Sequence, residues 1–572
     1  MFIKNSTYDT KHLFIDNGST EYSIVVPKEM NEYEIKAINE FKYLLNKSCN
    51  ISINVTTDEC INKGIYLGQT KYTLSVFKPS YKELGSDGYM IKTINDNLLI
   101  CGVDRGTLFG VYSFFERFFG YKYYAENEMK IDKKLTVYFN DLDIIEKPDI
   151  DSRSFGYFDA YHLEFENVSL NADRLKIARN NYSDWILAGH TYFTIMPKSK
   201  YLKTNRDFYS PDEMNLCLSN PDIKEEFSKN VFDYIKKTKG RYFMIGQEDN
   251  FSFCDCDKCK KKALELGGES GVMIDFSNSV VRRVQEMTKK ENIDRDIKFI
   301  SFAYNKTSTP PTKPIKTVEG LSIMYVPFGT LHNYPYTHIK NAKQYEVFNK
   351  WKSVTNSIFL WDYCANFDNF FIEFDDYKVI KDNYAFFKDM GVEFIFDQGP
   401  YCTKTPCFDE LKLFLRSKLA WDTTLSFDDL YNEFMDAYYK EISPHMKKYL
   451  KLYLDRWEYI HKTYNEDSRS GGCDSSYYLR KEFFPKEFLF DLFDILNDAR
   501  GKIEENRIED WDTYLLLKKR LKQISISSRY IFIKLYGRLY GDELPKKINS
   551  LRRDMNECNV LYIDEGNNND IC

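Results

Sequence analysis

Residues 241–259 read RYFMIGQEDNFSFCDCDKC, and this stretch joins an apolar strand to a polar loop. The apolar run Tyr242–Ile245 is typical of a buried strand. It leads into Gly246-Gln247-Glu248-Asp249-Asn250, and a Cys-x-Cys-x-x-Cys motif begins five residues after Asp249. Carboxylates at the end of a buried strand commonly carry catalytic chemistry in barrel enzymes. The stretch predicts a sheet strand whose following loop carries chemistry and is held by cysteines.

Length, charge and cysteine usage limit the class of protein. A chain of 572 residues is too long for one core, so we expect about two to four domains. The 80 basic and 86 acidic residues give a net charge of -6, which argues against a nucleic-acid binder. The 13 cysteines are irregularly spaced outside 254–259 and indicate reduced thiols. No export signal or apolar run of roughly 18 residues is present, so we expect a cytoplasmic protein without a membrane span.

The pattern along the chain predicts three domains, at 1–147, 148–425 and 426–572. The first is an α/β sandwich domain with strands at 22–26, 51–55 and 64–68, a hairpin across Asn95-Asp96-Asn97, and a helix at 107–118. Lys147-Pro148 marks the linker. The last domain is predicted to be helical, with a loop at 468–473 and a frayed end at 565–570.

The central region alternates strands with helices. Strands are predicted at 153–158, 184–189, 242–247, 298–304, 321–326, 358–363 and 393–396. Helices are predicted at 224–236, 274–288, 343–351, 377–388 and 409–421. Seven strands with intervening helices fit a (β/α)₈ TIM-type barrel with one strand missed. A doubly wound sheet is the main alternative, although no Gly-rich phosphate loop follows the first strand.

The ends of these strands carry carboxylates and aromatic residues but few cations. Substrate-binding candidates are His190, Asn250, Tyr304, Trp361, Asp362, Tyr363, Asp397 and Gln398. In a barrel, the active groups lie at the carboxyl ends of the strands. Such a rim suits a neutral, polyhydroxylated ligand better than a phosphate, and the position of His190 favours contact with a sugar hydroxyl.

Glycoside hydrolysis needs a carboxylic acid for the leaving oxygen and a second group for the oxocarbenium-like centre. Asp249, Glu248, Asp362 and Asp397 can each serve. Because strand side chains alternate faces, Glu248 and Asp249 cannot both point inward unless the strand has already turned. Gly246 and Asn250 make such a turn feasible.

Three of the cysteines, Cys254, Cys256 and Cys259, are candidate zinc ligands. A structural tetrahedral site needs a fourth ligand, for which Cys217 is the best-placed residue and Cys364 the second option. Four thiolates would form a closed structural site, whereas a catalytic zinc keeps an open position. The alternative is a set of buried thiols that bind no metal. No cofactor is expected for catalysis.

Several longer motifs carry a family resemblance. They are GTLFGVYSFFERFFGYKYYAENE (106–128), AGHTYFTIMP (188–197), LCLSNPDI (216–223), EDNFSFCDCDKC (248–259), IFLWDY (358–363), VEFIFDQGP (392–400) and FLRSKLAWD (414–422). Together they resemble glycoside hydrolase family 163, formerly domain of unknown function 4838. The first motif is also similar to N-terminal domains of family 20 hexosaminidases and family 67 α-glucuronidases.

The resemblance implies a (β/α)₈ catalytic domain, endo-β-N-acetylglucosaminidase action on N-glycans, and substrate-assisted retention. It matches Asp249 to the Asp of the family motif, and Arg153 by position to a sugar-gripping arginine of family 20. Where relatives often have Asn-Asp-Gly, this chain reads Glu248-Asp249-Asn250. The carboxylate pair is reversed relative to the Asp-Glu of family 20, so either residue can be the acid.

Three functional hypotheses follow. The first is a retaining glycoside hydrolase acting on N-acetylhexosamine-containing glycans, in which Asp249 and Glu248 supply the acid and the acetamide-orienting group. The second is an exo-acting α-glucuronidase-like enzyme, which needs cationic residues for the uronate. The third is a non-catalytic glycan-binding protein on a degenerate barrel. All three predict an oligosaccharide partner, and the sequence leaves linkage and oligomeric state open.

Overall fold

The computed structural model describes residues 2–161, 168–178, 185–472, 474–505, 507 and 510–571. The framework of the described residues consists of two seven-stranded sheets and a C-terminal set of helices. Within the described residues, no helix has both the length and the apolar character required to cross a membrane.

The N-terminal part is a mixed sheet with helices packed against it. Its elements are β1 (Phe2–Ile15), β2 (Ser23–Val26), α1 (Glu32–Cys49), β3 (Val55–Thr57), β4 (Gly64–Leu67), α2 (Lys71–Val76), α3 (Tyr81–Leu84), β5 (Tyr89–Ile94), β6 (Asn97–Gly102), α4 (Gly106–Phe119), β7 (Lys122–Ala125), β8 (Glu128–Lys130) and β9 (Val137–Glu146). The sheet order is β1-β9-β5-β6-β4-β2-β3, with β7 and β8 as a separate hairpin. The predicted β5–β6 hairpin is confirmed, with Asn95 in the left-handed region. The predicted strand at 51–55 is wrong, because pairing with β2 begins only at Val55.

The central part contains a parallel sheet and its connecting helices. Its elements are β10 (Ser152–Phe155), α5 (Phe158–Tyr161), α6 (Val168–Arg174), β11 (Trp185–Leu187), α7 (Tyr192–Ile195), α8 (Lys198–Tyr201), α9 (Pro221–Lys237), β12 (Tyr242–Ile245), α10 (Asp257–Leu266), α11 (Glu269–Lys290), β13 (Lys298–Ala303), β14 (Leu321–Tyr325), α12 (Ala342–Val354), β15 (Ile358–Tyr363), α13 (Ile380–Asp389), β16 (Val392–Gln398) and α14 (Asp409–Trp421). Each predicted strand overlaps an observed one, although Asp184 lies outside the described residues.

The parallel sheet has the order β10-β16-β15-β14-β13-β12-β11, so its first strand in the chain pairs with its last. This order differs from that of a doubly wound sheet, in which the strand order reverses near the middle. The sheet is strongly curved, since Trp185 on edge strand β11 lies 5.5 Å, between ring centroids, from Phe394 on β16. The described residues form a half-barrel of seven strands, and closure by an eighth strand stays a prediction.

Among the described residues, the C-terminal part contains five α-helices. They are α15 (Phe427–Tyr439), α16 (Ser443–Tyr464), α17 (Lys486–Glu505), α18 (Trp511–Tyr536) and α19 (Leu544–Glu557). The segment after α19 returns to the loops of the parallel sheet, where Ile563 is buried and its carbonyl accepts a hydrogen bond from the Phe370 amide at 2.6 Å. The prediction of a frayed end is therefore wrong at Glu565, whose amide donates to the Phe367 carbonyl at 3.1 Å.

Candidate active site

A cavity of about 640 Å³ opens at the carboxyl ends of the parallel strands. Its lining combines aromatic rings with carboxylates, one arginine and a glycine-containing loop. The lining residues are His190, Asp249, Phe302, Tyr304, Val326, Phe328, Gly329, Thr330, Leu331, Trp361, Tyr363, Phe367, Asp368, Gln398, Arg469, Ser470, Gly471, Gly472 and Glu565. Aromatic surfaces beside a few convergent polar groups are the usual composition of a small-ligand site.

The turn after β12 brings Asp249 to this cavity. The Gly246 carbonyl accepts hydrogen bonds from the amides of Thr191 and Tyr192, which joins the loops that follow β11 and β12. A Cβ atom at Gly246 would lie 2.4 Å from the Gly189 carbonyl oxygen, so only glycine fits this crossing. The chain has therefore left the strand before the carboxylates, and the strict alternation of strand side chains no longer applies.

Asp249 is exposed in the cavity and paired with a tyrosine. The Tyr304 hydroxyl donates a hydrogen bond to Asp249 Oδ1 at 2.7 Å. Burial raises the pKa of Tyr304 well above its ordinary value, and the bond to Asp249 raises it further. The phenol therefore stays protonated at neutral pH and presents a donor beside the carboxylate.

Glu248 and Asn250 face away from the lining that the described residues form. Glu248 Oε1 accepts a hydrogen bond from the Phe193 amide at 2.8 Å. Asn250 Oδ1 accepts from Asn215 Nδ2 at 2.9 Å and from the Ser252 amide at 2.9 Å. Their contacts hold the loop in shape, so the direct roles predicted for Glu248 in catalysis and Asn250 in binding are not supported by their positions.

His190 lines the cavity, and one of its ring nitrogens is held by a backbone carbonyl. Its predicted contact with a sugar hydroxyl stays a prediction. Its Nδ1 lies 2.5 Å from the Gln247 carbonyl oxygen. Because a carbonyl only accepts, Nδ1 carries the proton in this contact and Nε2 is the acceptor of the neutral ring. The ring also packs against Phe302, with 5.2 Å between centroids.

Glu565 is a second carboxyl group in the same cavity. Its Oε1 accepts hydrogen bonds from Gln398 Nε2 at 3.0 Å and from the Tyr401 hydroxyl at 3.2 Å. The residue as a whole is exposed, but partial burial of the carboxyl raises its pKa. The two hydrogen bonds oppose this shift, whereas the negative charge of Asp249 adds to it.

The aromatic residues Tyr304, Trp361 and Tyr363, which were predicted from the sequence, form part of the wall. Trp361 Nε1 donates to Gln398 Oε1 at 2.8 Å, which fixes the orientation of the amide that in turn donates to Glu565. Tyr363 packs against Phe328 at 5.2 Å between ring centroids. Tyr304 lies 5.3 Å from the same Phe328 ring. The wall therefore offers several ring faces around Asp249 and Glu565.

Two known protein families have models that match parts of this chain. Residues 123–451 match the family model described as "Domain of unknown function (DUF4838)", which is more than half of the chain. The chain belongs to the DUF4838 family. Residues 17–114 of this DUF4838 protein match the glycosyl hydrolase family 67 N-terminus. The comparison with curated proteins gave no match.

The solved structures that match the chain include carbohydrate-active enzymes. A GH115 4-O-methyl-α-glucuronidase, BtGH115A, described as specific for decorated arabinogalactans, has a TM-score of 0.57 at 10% identity, covering 96% of this chain and 77% of that chain. CpGH84B has a TM-score of 0.44 at 13% identity, covering 98% and 94%. A GH138 enzyme targeting pectin rhamnogalacturonan II has 0.40 at 10%, covering 95% and 94%. The GH115 likeness shows a shared fold.

Two predicted carboxylates of the DUF4838 protein lie behind the sheet instead of in the cavity. Asp362 accepts a hydrogen bond from the Tyr336 hydroxyl at 2.8 Å, and Asp397 accepts from Arg416 Nη1 at 2.9 Å. They are 4% and 0% exposed. Because successive side chains of a strand point to opposite faces, Trp361 and Tyr363 face the cavity while Asp362 between them does not. Their predicted substrate contacts are therefore corrected.

Arg153 is also remote from the cavity lining of the described residues. Its side chain is 0% exposed, and Nη2 donates to Asp87 Oδ2 at 2.6 Å. The guanidinium lies over the Trp421 ring, 5.0 Å from its centroid. Arg153 thus joins the N-terminal sheet to the parallel sheet, and the sugar-gripping position implied by the family 20 resemblance is wrong.

The cysteines proposed as metal ligands come together in the fold. The Sγ atoms of Cys217, Cys254, Cys256 and Cys259 all lie within 4.8 Å of one another. Cys364, the second option for a fourth ligand, is instead grouped with Asp362 and Asp397. The spacing of the motif and the position of Cys217 before β12 were sufficient to select this set.

Several residues of the lining were missed by the sequence reasoning. Those with side chains suited to binding a ligand include Phe328, Asp368, Arg469 and Glu565. Arg469 belongs to the predicted loop at 468–473, of which Cys473 lies outside the described residues. Beside Arg469, the Ser470 carbonyl accepts a hydrogen bond from the Phe367 amide at 2.7 Å. Turn-forming residues signalled that loop, but no local pattern links it, or the C-terminal segment, to the cavity.

Proposed function

We propose that this DUF4838 protein is a retaining glycoside hydrolase that acts on N-acetylhexosamine-containing glycans with assistance from the substrate's acetamido group. The observation that carries the proposal is the meeting of Asp249 and Glu565 in one aromatic-lined cavity. Two carboxyl groups in different environments are the basic requirement of glycoside hydrolysis. The pairing proposed here is Asp249 with Glu565, in place of Asp249 with Glu248.

Glu565 is the general acid in this proposal. Its raised pKa favours the protonated carboxyl, which can donate to the glycosidic oxygen as the bond to the anomeric carbon breaks. Gln398 and Tyr401 hold its Oε1 and orient the group. In the second step the resulting carboxylate accepts a proton from the attacking water.

Asp249 and Tyr304 act on the acetamido group. An acetamide offers one N–H donor and one carbonyl acceptor, which match the Asp249 carboxylate and the Tyr304 hydroxyl. The acetamide oxygen forms a bond to the anomeric carbon while the glycosidic bond breaks, which gives an oxazolinium ion. Asp249 stabilises the positive charge that develops on the amide nitrogen. Water then opens the ring with overall retention.

The aromatic wall supports a sugar ligand. Trp361, Tyr363 and Phe328 provide apolar faces against which the C–H faces of a pyranose ring can pack. His190 Nε2 can accept a hydrogen bond from a sugar hydroxyl. The resemblance of the long sequence motifs to glycoside hydrolase family 163 and the match to a family 67 N-terminus support the same class.

A closed (β/α)₈ barrel is the architecture proposed for the catalytic part. The pairing of β10 with β16 and the curvature of the sheet support it. An isolated parallel bridge between Ser154 and Ala178 lies beside β10 as well. Closure would place all strand ends around one cavity, which is the usual location of barrel active sites.

One observation favours a second candidate, an exo-acting α-glucuronidase-like hydrolase. Arg469 lines the cavity, and an exposed guanidinium can bind a uronate carboxylate with two hydrogen bonds. The sequence predicted a rim with few cations, but Arg469 adds a positive charge to the lining. The fold shared with a GH115 4-O-methyl-α-glucuronidase is consistent with this candidate.

A substrate screen tests the proposal. Wild type, Glu565→Gln and Asp249→Asn are assayed on aryl β-N-acetylglucosaminides, N-glycans and aryl α-glucuronides, with exposed Glu29→Gln and Asp491→Asn as matched controls. We expect wild-type and control turnover of N-acetylhexosaminides, and loss in both site variants on N-glycans, whose leaving group needs an acid. Turnover of glucuronides alone would replace the proposal by the second candidate. Glycan binding without turnover in wild type would establish the non-catalytic alternative.

A further inference from the structure

We propose that Cys217, Cys254, Cys256 and Cys259 bind a structural zinc ion that fixes the loop carrying Asp249. The inference does not depend on the proposed glycosidase activity. The Cys217 Sγ lies 3.7 Å from the Cys256 Sγ and 3.8 Å from the Cys259 Sγ. A tetrahedral zinc with bonds of about 2.3 Å to sulfur places its sulfurs about 3.8 Å apart. The observed separations therefore match a tetrathiolate site.

Two separate chain segments supply the ligands. Cys254, Cys256 and Cys259 surround the start of α10, and Cys256 is the residue that caps this helix. Cys217 comes from the segment before α9, where its amide donates to the Phe208 carbonyl at 2.8 Å. All four cysteines are free of disulfides. Sulfurs that converge from two segments give the geometry of a closed metal site.

The electrostatic surroundings also suit a metal bound by four thiolates. Such a site carries a net charge of about −2, since four thiolates exceed the charge of one zinc ion. The N-terminal end of α10 carries the positive end of the helix dipole. Its first two turns contain Lys258, Lys260, Lys261 and Lys262. The helix dipole and these lysines would offset part of that negative charge.

The site would connect to the cavity through Asn215, two residues before Cys217. The Asn215 side chain donates to Asn250 Oδ1 and to the Ser252 carbonyl, both at 2.9 Å. Its Oδ1 also accepts from the Glu248 amide at 3.2 Å. A zinc ion that joins Cys217 to Cys254 would therefore hold together the two chain segments that these hydrogen bonds connect. Asp249 lies between Glu248 and Asn250, which both take part in these bonds. With four protein ligands the ion has no open position for catalysis.

Soft, tetrahedral sulfur ligands select zinc or iron among common metals, and the proposal commits to zinc. Full-length protein is purified under reducing conditions without chelators, its tag is removed, and its metals are measured by inductively coupled plasma mass spectrometry. We expect about one zinc ion per chain. The Cys217→Ser/Cys259→Ser variant should lose it, while Cys60→Ser and Cys101→Ser, at unrelated cysteines, should retain it.

Measurements on the wild-type protein test the same proposal and do not depend on whether the variants fold. A mercurial thiol reagent should release the zinc to a chromogenic chelator as the thiols react, and cobalt substitution should give sulfur-to-cobalt charge-transfer absorption. Hydrogen exchange at 248–256 should increase after zinc release. Absence of stoichiometric zinc even after reconstitution, iron in its place, or zinc retained by the folded double variant would overturn the proposal.

Discussion

Asp249 and Glu565 line the same cavity, although one follows a central strand and the other belongs to the C-terminal segment. Partial burial raises the pKa of Glu565, and the charge of Asp249 adds to that shift. The two carboxyl groups therefore lie in different electrostatic environments within one cavity. This difference is what an acid and a charge-stabilising group require.

The first prediction concerns Glu565 as the acid. The folded-state pKa is raised, so the protonated form is lost as pH rises through it, and activity should fall on that alkaline side. Glu565→Gln should lower kcat/KM by about 10²–10⁴-fold on substrates with poor leaving groups and abolish this alkaline limb. Aryl substrates with acidic phenols should be affected much less, because they need no acid. Equal losses on both substrate types would contradict the assignment.

The second prediction concerns Asp249 and Tyr304. Asp249→Asn should lower kcat by on the order of 10²–10³-fold, because it removes the charge facing the acetamide nitrogen. Tyr304→Phe should lower kcat by on the order of tenfold, which corresponds to the loss of one hydrogen bond. Substrates with successive N-fluoroacetyl groups should react more slowly with wild type. Rates insensitive to fluorination would show that the acetamide oxygen is not the nucleophile.

The third prediction uses Arg469 to separate the two candidate functions. If a uronate is bound, Arg469→Ala should lower kcat/KM by roughly 10–150-fold through loss of a charged hydrogen bond. If an N-acetylhexosamine is bound, the loss should stay below about tenfold. Steady-state kinetics on both substrate classes decide between them, and Arg469→Lys should restore only part of a uronate effect because it lacks the planar fork.

The fourth prediction concerns the buried charges behind the sheet. Arg416 Nη1 donates to Asp397, and its Nη2 donates to Asp376, which also pairs with Lys412 at 3.1 Å. Arg416→Met should lower the free energy of unfolding by about 3–5 kcal/mol, because it leaves buried carboxylates with too little positive charge. Urea denaturation measures this change, and substitution of the exposed Arg500 on α17 by Met should change it by less than about 0.5 kcal/mol.

The same cluster gives a pH dependence of stability. Burial by itself would raise the pKa of Asp376, but Lys412 and Arg416 lower it below its ordinary value. A lowered folded-state pKa contributes stability above the unfolded pKa that is lost as pH falls through the folded value. Acid unfolding of Arg416→Met should therefore begin at a higher pH than that of wild type. Coincident acid transitions would contradict this account.

The fifth prediction concerns Arg153. Arg153→Met should lower the free energy of unfolding by about 3–5 kcal/mol, since it leaves Asp87 buried with less positive charge. The KM for glycan substrates should stay within about twofold, because the side chain does not reach the cavity. A large rise in KM without loss of stability would restore the sugar-binding role implied by the family resemblance.

The sequence predicted the central strands because strands covered on both faces read as continuous apolar runs. It also selected Asp249 and the cysteine set, since a strand, its following loop and a compact motif are local features. It did not predict which face each strand residue takes. Neighbouring residues of a strand point to opposite faces of the sheet, and the sequence does not show which face lines the cavity. Asp362 and Tyr363 were therefore equal candidates until the curvature of the sheet showed which face is concave.

The sequence by itself determined an α/β chain with a parallel sheet, and an acidic and aromatic rim at the strand ends. Only the tertiary structure decided that Glu565 and Arg469 belong to the cavity, that Glu248 braces its loop, and that Arg153 joins the two sheets. These outcomes depend on contacts between segments far apart in the chain. Burial of residues such as Ile563 supplies the free energy for docking the C-terminal segment, and no local pattern specifies where it docks.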